Sequence, residues 1–262
     1  MVTSNQPRLI GMVHLKPLPG APLFSGTFQQ VIDAALHDAD ALVQGGLHAL
    51  MVENFGDTPF FPGPVPAVTL AHLTVVAWEI RRRFALPLGI NVLRNDGAAA
   101  LAIARAVQAD YVRVNVLTGA RVTDQGVIQG QAHELLRLRQ AWGAQGVRIF
   151  ADVDVKHSAP LAARALQAEV HDTILRGLAD AVVVSGEGTG QPVDLAKLRQ
   201  VKEAAGKTPV WIGSGANVQT LAALLAVADG AIVGTACKQN GNVHAPVDVA
   251  RVRALVQALP AT

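Results

Sequence analysis

Apolar, β-branched runs recur along the chain at residues 9–13, 49–52, 88–92, 111–116, 147–155, 181–184, 210–212 and 231–233. Between them lie alanine-rich stretches with helical spacing, such as 28–43, 98–107, 161–175 and 220–226. Runs of strand character alternating with helical patterns predict parallel strands joined by crossover helices. Eight such units in 262 residues predict a (β/α)8 barrel, one domain over 1–262 with its core at about 8–259. A doubly wound open sheet is the alternative, and no shift in composition marks a domain boundary.

The connections differ in length by type. Helix-to-strand links are short, as at 44–46, 144–146, 176–177 and 206–207, whereas strand-to-helix links are often long, as at 14–27, 53–66, 117–130 and 236–246. In a barrel all the long links open at the C-terminal end of the strands, where such folds carry their sites. Long irregular loops in compact domains are usually functional.

Charged and polar residues gather at that end. The fifth strand reads Phe150-Ala151-Asp152-Val153-Asp154-Val155-Lys156-His157. Strand side chains alternate faces, so Asp152, Asp154 and Lys156 are expected to share the barrel interior while Ala151, Val153 and Val155 meet the helices. Arg113 and Asn115 share a face of the fourth strand in the same way. Unpaired buried charge is costly, so these groups are expected to form a paired network, with Arg113 neutralising an aspartate. His14 and Lys16 follow strand one, Glu53 and Asn54 end strand two, Asn91 ends strand three, and Ser185 and Glu187 follow strand six. Nearby carboxylates keep a lysine protonated, which casts Lys156 as a positioning cation with Asp154 or Glu53 as acid/base. The substrate contacts are then expected from Asn54, Arg113, His157, Ser185 and Glu187. No metal site is predicted, although Glu53, Asp152, Asp154, His14 and His157 form an oxygen-rich set that would favour Mg or Mn over Zn.

Glycines mark a second feature. Gly213-Ser214-Gly215 follows the seventh strand and Gly234-Thr235 the eighth. Glycines there let backbone N–H groups approach an anion, with hydroxyls from Ser214 and Thr235 and a helix N-terminus adding to the cradle. The alternative is that they only permit tight turns. Neither Gly186-Glu187-Gly188-Thr189-Gly190 nor Gly213-Ser214-Gly215 is a dinucleotide fingerprint, because Gln191 and Val218 stand where its third glycine belongs.

Composition narrows the classes further. Half the residues are hydrophobic, 16% are charged, and the formal net charge is 22 − 20 = +2. Gly and Pro total 24 + 14 = 38, too few for a disordered or collagen-like chain. A single cysteine, Cys237, rules out an internal disulfide scaffold and fits a cytoplasmic protein. The basic run Arg81-Arg82-Arg83 reads as a helix end rather than a nucleic-acid surface. The N-terminal residues lack the apolar core of a signal peptide. Glycines and polar residues break 210–237 into a strand–helix–strand unit, not a membrane span. Sparse surface charge predicts a homo-oligomer, most simply a dimer.

Three segments carry a family resemblance. Gly11-Met12-Val13-His14-Leu15-Lys16-Pro17-Leu18-Pro19-Gly20-Ala21-Pro22, Val52-Glu53-Asn54-Phe55-Gly56-Asp57 and Asp152-Val153-Asp154-Val155-Lys156-His157-Ser158 resemble the BtpA family, named for a photosystem I biogenesis protein. The likeness runs from Arg8 to the last helix. It implies a barrel related to the ribulose-phosphate-binding group. Two functions follow as expectations. One is an enzyme acting on a phosphorylated small metabolite, a sugar or nucleoside phosphate, by lyase, isomerase or glycosidic-bond-cleaving chemistry. The other is a noncatalytic assembly factor for a membrane complex, for which Pro59, Phe60, Phe61 and Pro62 would supply an apolar patch; the same residues would form a lid in an enzyme.

Overall fold

The computed structural model describes residues 8–186, 188 and 193–260. Strands β1 (Leu9–His14), β2 (Ala49–Glu53), β3 (Leu88–Asn91) and β4 (Tyr111–Val114) pair in parallel in chain order. The chain then makes a hairpin of β5 (Ala120–Thr123) and β6 (Gly126–Gln129) before returning through β7 (Arg148–Val153). A short strand β8 (Ser158–Pro160) precedes β9 (Ala181–Val184), β10 (Val210–Ile212) and β11 (Gly230–Val233). Because β11 pairs back onto β1, eight parallel strands close into a barrel in the order β1-β11-β10-β9-β7-β4-β3-β2. This is the expected (β/α)8 architecture and excludes an open sheet.

Helices α1 (Phe28–Gln44), α2 (Ala67–Arg83), α3 (Gly97–Val107), α4 (Ala132–Ala141), α5 (Leu166–His171), α6 (Leu195–Ala205), α7 (Leu221–Leu225) and α8 (Val249–Gln257) follow the barrel strands in turn. Local chemistry sets several of their ends. Thr27 and Gln30 form a reciprocal capping box at α1, and Asp96, Asp194 and Asp248 each accept an N–H at the start of α3, α6 and α8. Arg81–Arg83 close α2, where Arg81 donates to the carbonyls of Leu86 and Gln108 and to Asp110. The 210–237 segment folds as β10, α7 and β11, and no helix among the described residues is long and apolar enough to cross a membrane.

Alternation along the strands divides the core in two. Outward residues such as Val13, Val52, Ile90, Val112, Ala151 and Val184 pack beneath the helices. Inward residues Ile10, Met12, Met51, Tyr111, Phe150, Val183, Trp211 and Ile232 fill the barrel. Two residues further along each strand, the inward position becomes polar or glycine: His14, Glu53, Asn91, Arg113, Asp152, Ser185, Gly213 and Gly234. The apolar plug therefore ends in a layer of six polar side chains and two glycines.

Two expectations need correction. The 117–130 connection is not an irregular loop but holds the β5–β6 hairpin, to which β8 adds a third antiparallel strand. Ile128 anchors it on Val116 and Val155. The helix expected over 161–175 begins only at Leu166, because 158–160 pair with β5 and Leu161 N–H donates to Ala120 O. Backbone held in an antiparallel ladder is not free to start a helix.

Candidate active site

At the C-terminal end of the barrel, His14, Glu53, Arg113 and Lys156 line a cavity of about 220 Å³ together with Gly213, Ser214, Gly215, Gly234 and Thr235. Residues from opposite ends of the sequence thus share one space. Gly213 and Gly234 are fixed by close approach. A Cβ on Gly213 would lie 2.5 Å from Ser185 Oγ and 2.9 Å from Arg113 Nη2; one on Gly234 would lie 2.6 Å from His14 Cε1. Any side chain there would displace the polar layer itself.

Arg113 is the hub of that layer. Its Nε and Nη2 donate to the two oxygens of Asp152 at 2.8 Å each, with both side chains almost fully buried. Asn115 Nδ2 donates to the same carboxylate at 3.1 Å. Burial opposes the guanidinium charge, but Asp152 outweighs it and raises the Arg113 pKa. Glu53 is held from below by Asn91, whose amide donates to Oε2, and its Oε1 lies 3.7 Å from His14 Nε2.

His14 is neutral here. Burial first, then the charges of Lys238, Lys156 and Arg113, pull its pKa down to about 3. Between that value and the ordinary histidine value near 6.5, the unfolded chain binds one proton more than the folded one. Stability from this residue is therefore complete above about pH 6.5 and falls toward acid by about 1.4 kcal/mol per pH unit. Urea unfolding between about pH 4.5 and 6.5 is expected to show this slope in the wild type and lose about one proton's worth of it in His14→Gln. Equal slopes in the two proteins would mean that His14 is protonated in the folded state.

Lys156 has different neighbours from those the strand pattern predicts. Asp152 is already matched by Arg113, and Asp154 is turned away. Burial and the Arg113 charge lower the Lys156 pKa against the opposing pull of Glu53 and Asp152. Its carbonyl accepts from buried Arg94 at 2.7 Å, which pins the backbone that presents it.

Asp154 does not enter the barrel. β7 ends at Val153, and Asp154 adopts a left-handed φ of 46°, which breaks the alternation. Its carboxylate meets Arg121 of β5 at 2.7 Å and Lys197 of α6 at 2.6 Å, bracing the hairpin; Lys197 and Arg121 hold its pKa below the usual range against burial. His157, also at positive φ, is exposed. Asn54 is spent on structure, with Oδ1 accepting Leu93 N–H at 2.7 Å and Nδ2 donating to Asp57. Lys16 is exposed and lines neighbouring hollows rather than the mouth. Glu187 lies outside the described residues. With Asp152 and Asp154 committed to cations, the oxygen-rich metal set is not brought together, and no group of three or more ligating side chains occurs among the described residues.

The cradle also differs in detail. The N–H groups of Gln219 and Thr220, just ahead of α7, are taken by Asn217 Oδ1, so that short helix offers them to no anion. The N–H groups of Gly215 and Ala216 have no acceptor among the described residues, and Ser214 Oγ is buried and unpaired. Arg251 of α8 joins the lining, with its Nε on Ala236 O at 3.0 Å. It lies 16 positions beyond Thr235 in an ordinary amphipathic helix, where no sequence signal distinguishes it. Pro59, Phe60, Phe61 and Pro62 line a separate hollow with Pro22 and Leu93 rather than roofing this cavity, although Phe61 is half exposed.

A closed barrel of eight parallel strands alternating with helices is the (β/α)8 fold. It overlays on N-(5'-phosphoribosyl)anthranilate isomerase from Pyrococcus furiosus with a TM-score of 0.58 at 13% identity, over 97% of this chain and 98% of that one. The chain belongs to the BtpA family, whose model matches residues 5–261. It is 53% identical over 249 residues to an uncharacterized protein of Thermococcus kodakarensis, covering 95% of this chain and 94% of that protein. It is 45% identical over 251 residues to the photosystem I biogenesis protein BtpA of Synechocystis, covering 96% and 87% respectively.

Proposed function

We propose that the protein is an enzyme acting on a phosphorylated small metabolite at the barrel mouth. The observation that carries this reading is a set of unpaired buried polar atoms. Of the seven buried side-chain atoms without a partner among the described residues, five belong to the polar layer or its cradle: His14 Nδ1, Asn91 Oδ1, Asn115 Oδ1, Ser185 Oγ and Ser214 Oγ. Buried polar groups are otherwise nearly always satisfied, and a cluster of exceptions beside a cavity suits a ligand. The phosphate rests on Gly213–Gly215 and Gly234–Thr235, with Arg251 and Lys156 supplying charge.

Chemistry then falls to the remaining polar side chains of the cavity. Glu53, oriented by Asn91, moves a proton at the reacting carbon or oxygen. Arg113 and Lys156 stabilise negative charge as it develops. Proton transfer beside two cations serves carbon–carbon cleavage, isomerisation and glycosidic-bond cleavage alike. The architecture shared with phosphoribosylanthranilate isomerase is compatible with each. The assembly reading is supported by the name of the Synechocystis relative and by no feature of this cavity.

A thermal-shift panel of phosphate esters tests this directly, with stabilisation by ribose 5-phosphate as the expected result. Lys156→Met is expected to weaken that ligand about tenfold or more in calorimetric titration, the worth of a charge-assisted hydrogen bond. A protein that no phosphate ester stabilises would sink the reading.

A further inference from the structure

The mouth has a larger neighbour. A cavity of about 450 Å³ opens between the loops that follow β1, β2 and β11, lined among others by Pro17, Leu23, Phe55, His244 and Pro246. His14 lines both cavities. Its ring abuts Gly234 on one side, where only the missing Cβ makes room, and stands 4.6 Å from the Phe55 ring at a tilt of 39°. His244 continues the series 6.1 Å beyond Phe55. Phe55 therefore contacts both histidine rings, His14 beside the glycine cradle and His244 at the exposed rim.

The character of this space follows from what surrounds it. Leu23 on the rim is 61% exposed, and His244 is exposed beside it. The floor carries a buried ion pair, Asp38 with Lys238, and Asp38 also accepts Val247 N–H at 2.8 Å. Those charges are mutually matched, so the floor offers no net charge to a second anion. Lys16 stands exposed at the outer edge as a donor. Between the two cavities, His14 Nδ1 is buried without a partner on a side chain only 9% exposed. An apolar hollow with ring faces, a neutral floor and a few donors suits a flat heterocycle, because every base has a π-face to stack.

We propose that this second cavity receives a planar heterocycle, so that the molecule bound across the two cavities is a nucleotide-like phosphate ester. The inference rests on the phosphate reading of the cradle and adds the class of compound that carries the phosphate. The phosphate occupies the glycine loops, the ribose passes His14 and Glu53, and the ring lies in the larger cavity against Phe55 and His244. The acid/base carboxylate then faces the sugar between the two ends.

Isothermal titration of the full chain with ribose 5-phosphate, adenosine 5'-monophosphate and adenosine separates the contributions. The nucleotide is expected to bind about tenfold or more tighter than ribose 5-phosphate, the usual value of one base stacked on aromatic rings. Phe55→Leu and His244→Ala should each shrink that advantage to about threefold or less while leaving ribose 5-phosphate affinity in place. His244 is exposed, so its variant keeps the test open should Phe55→Leu fold poorly. If ribose 5-phosphate binds but the nucleotide gains nothing, or if neither substitution touches the gain, this inference falls and the phosphate reading stands. If neither phosphate ester binds, both fall together.

Discussion

Arg113→Ala is expected to destabilise the protein by about 3–5 kcal/mol, lowering the midpoint of thermal unfolding by roughly 6–20 °C. The reason is the state in which it leaves Asp152. That side chain has no solvent exposure, and both of its oxygens accept from Arg113. Removing the guanidinium strands a carboxylate inside the barrel with Asn115 as its remaining partner. The paired variant Arg113→Met with Asp152→Leu removes both charges and is expected to recover most of the loss, since a buried ion pair contributes little net stability against apolar groups of similar size. Differential scanning calorimetry of the three proteins decides it. A single variant that melts within about 2 °C of wild type would show that the pair carries no such load.

The second large effect concerns rate. Glu53→Gln preserves shape and can still accept from Asn91, but it can no longer exchange a proton. On a phosphorylated substrate that the wild type turns over, kcat is expected to fall by about 10²–10⁴-fold, the usual contribution of a positioned acid/base group. Ribose 5-phosphate affinity should change little, because the cradle follows β10 and β11 while Glu53 stands on β2, with β1 between them. Loss of binding together with rate would instead place Glu53 among the groups that hold the substrate. An unchanged kcat would remove it from the chemistry altogether.

Much of this site could be read along the chain, because strand alternation is a local property. Once Met12, Met51, Tyr111 and Phe150 face inward, His14, Glu53, Arg113 and Asp152 must follow two residues later. The same rule failed at Asp154, where it had no right to operate. The strand ends one residue earlier, and a left-handed backbone turns the carboxylate toward Arg121 and Lys197. Asn54 likewise sits beside Glu53 in sequence, yet it is consumed in tying the loop after β2 to Leu93. Arg251 carried no signal, since an arginine on an outer helix looks like surface until the barrel closes.

Period-two and helical patterning, short and long connections, and glycines after the last two strands are written in the order of residues. They determined the closed (β/α)8 barrel, the end that carries the site, and most of the polar layer. What depended on residues far apart in the chain belonged to tertiary structure alone. Which aspartate Arg113 claims, why Lys156 and His14 have depressed pKa values, and that Phe55 and His244 extend the mouth into a second cavity are matters of distance and burial. Charges and rings interact through space, and only the closed barrel sets those separations and strips away the water that would screen them.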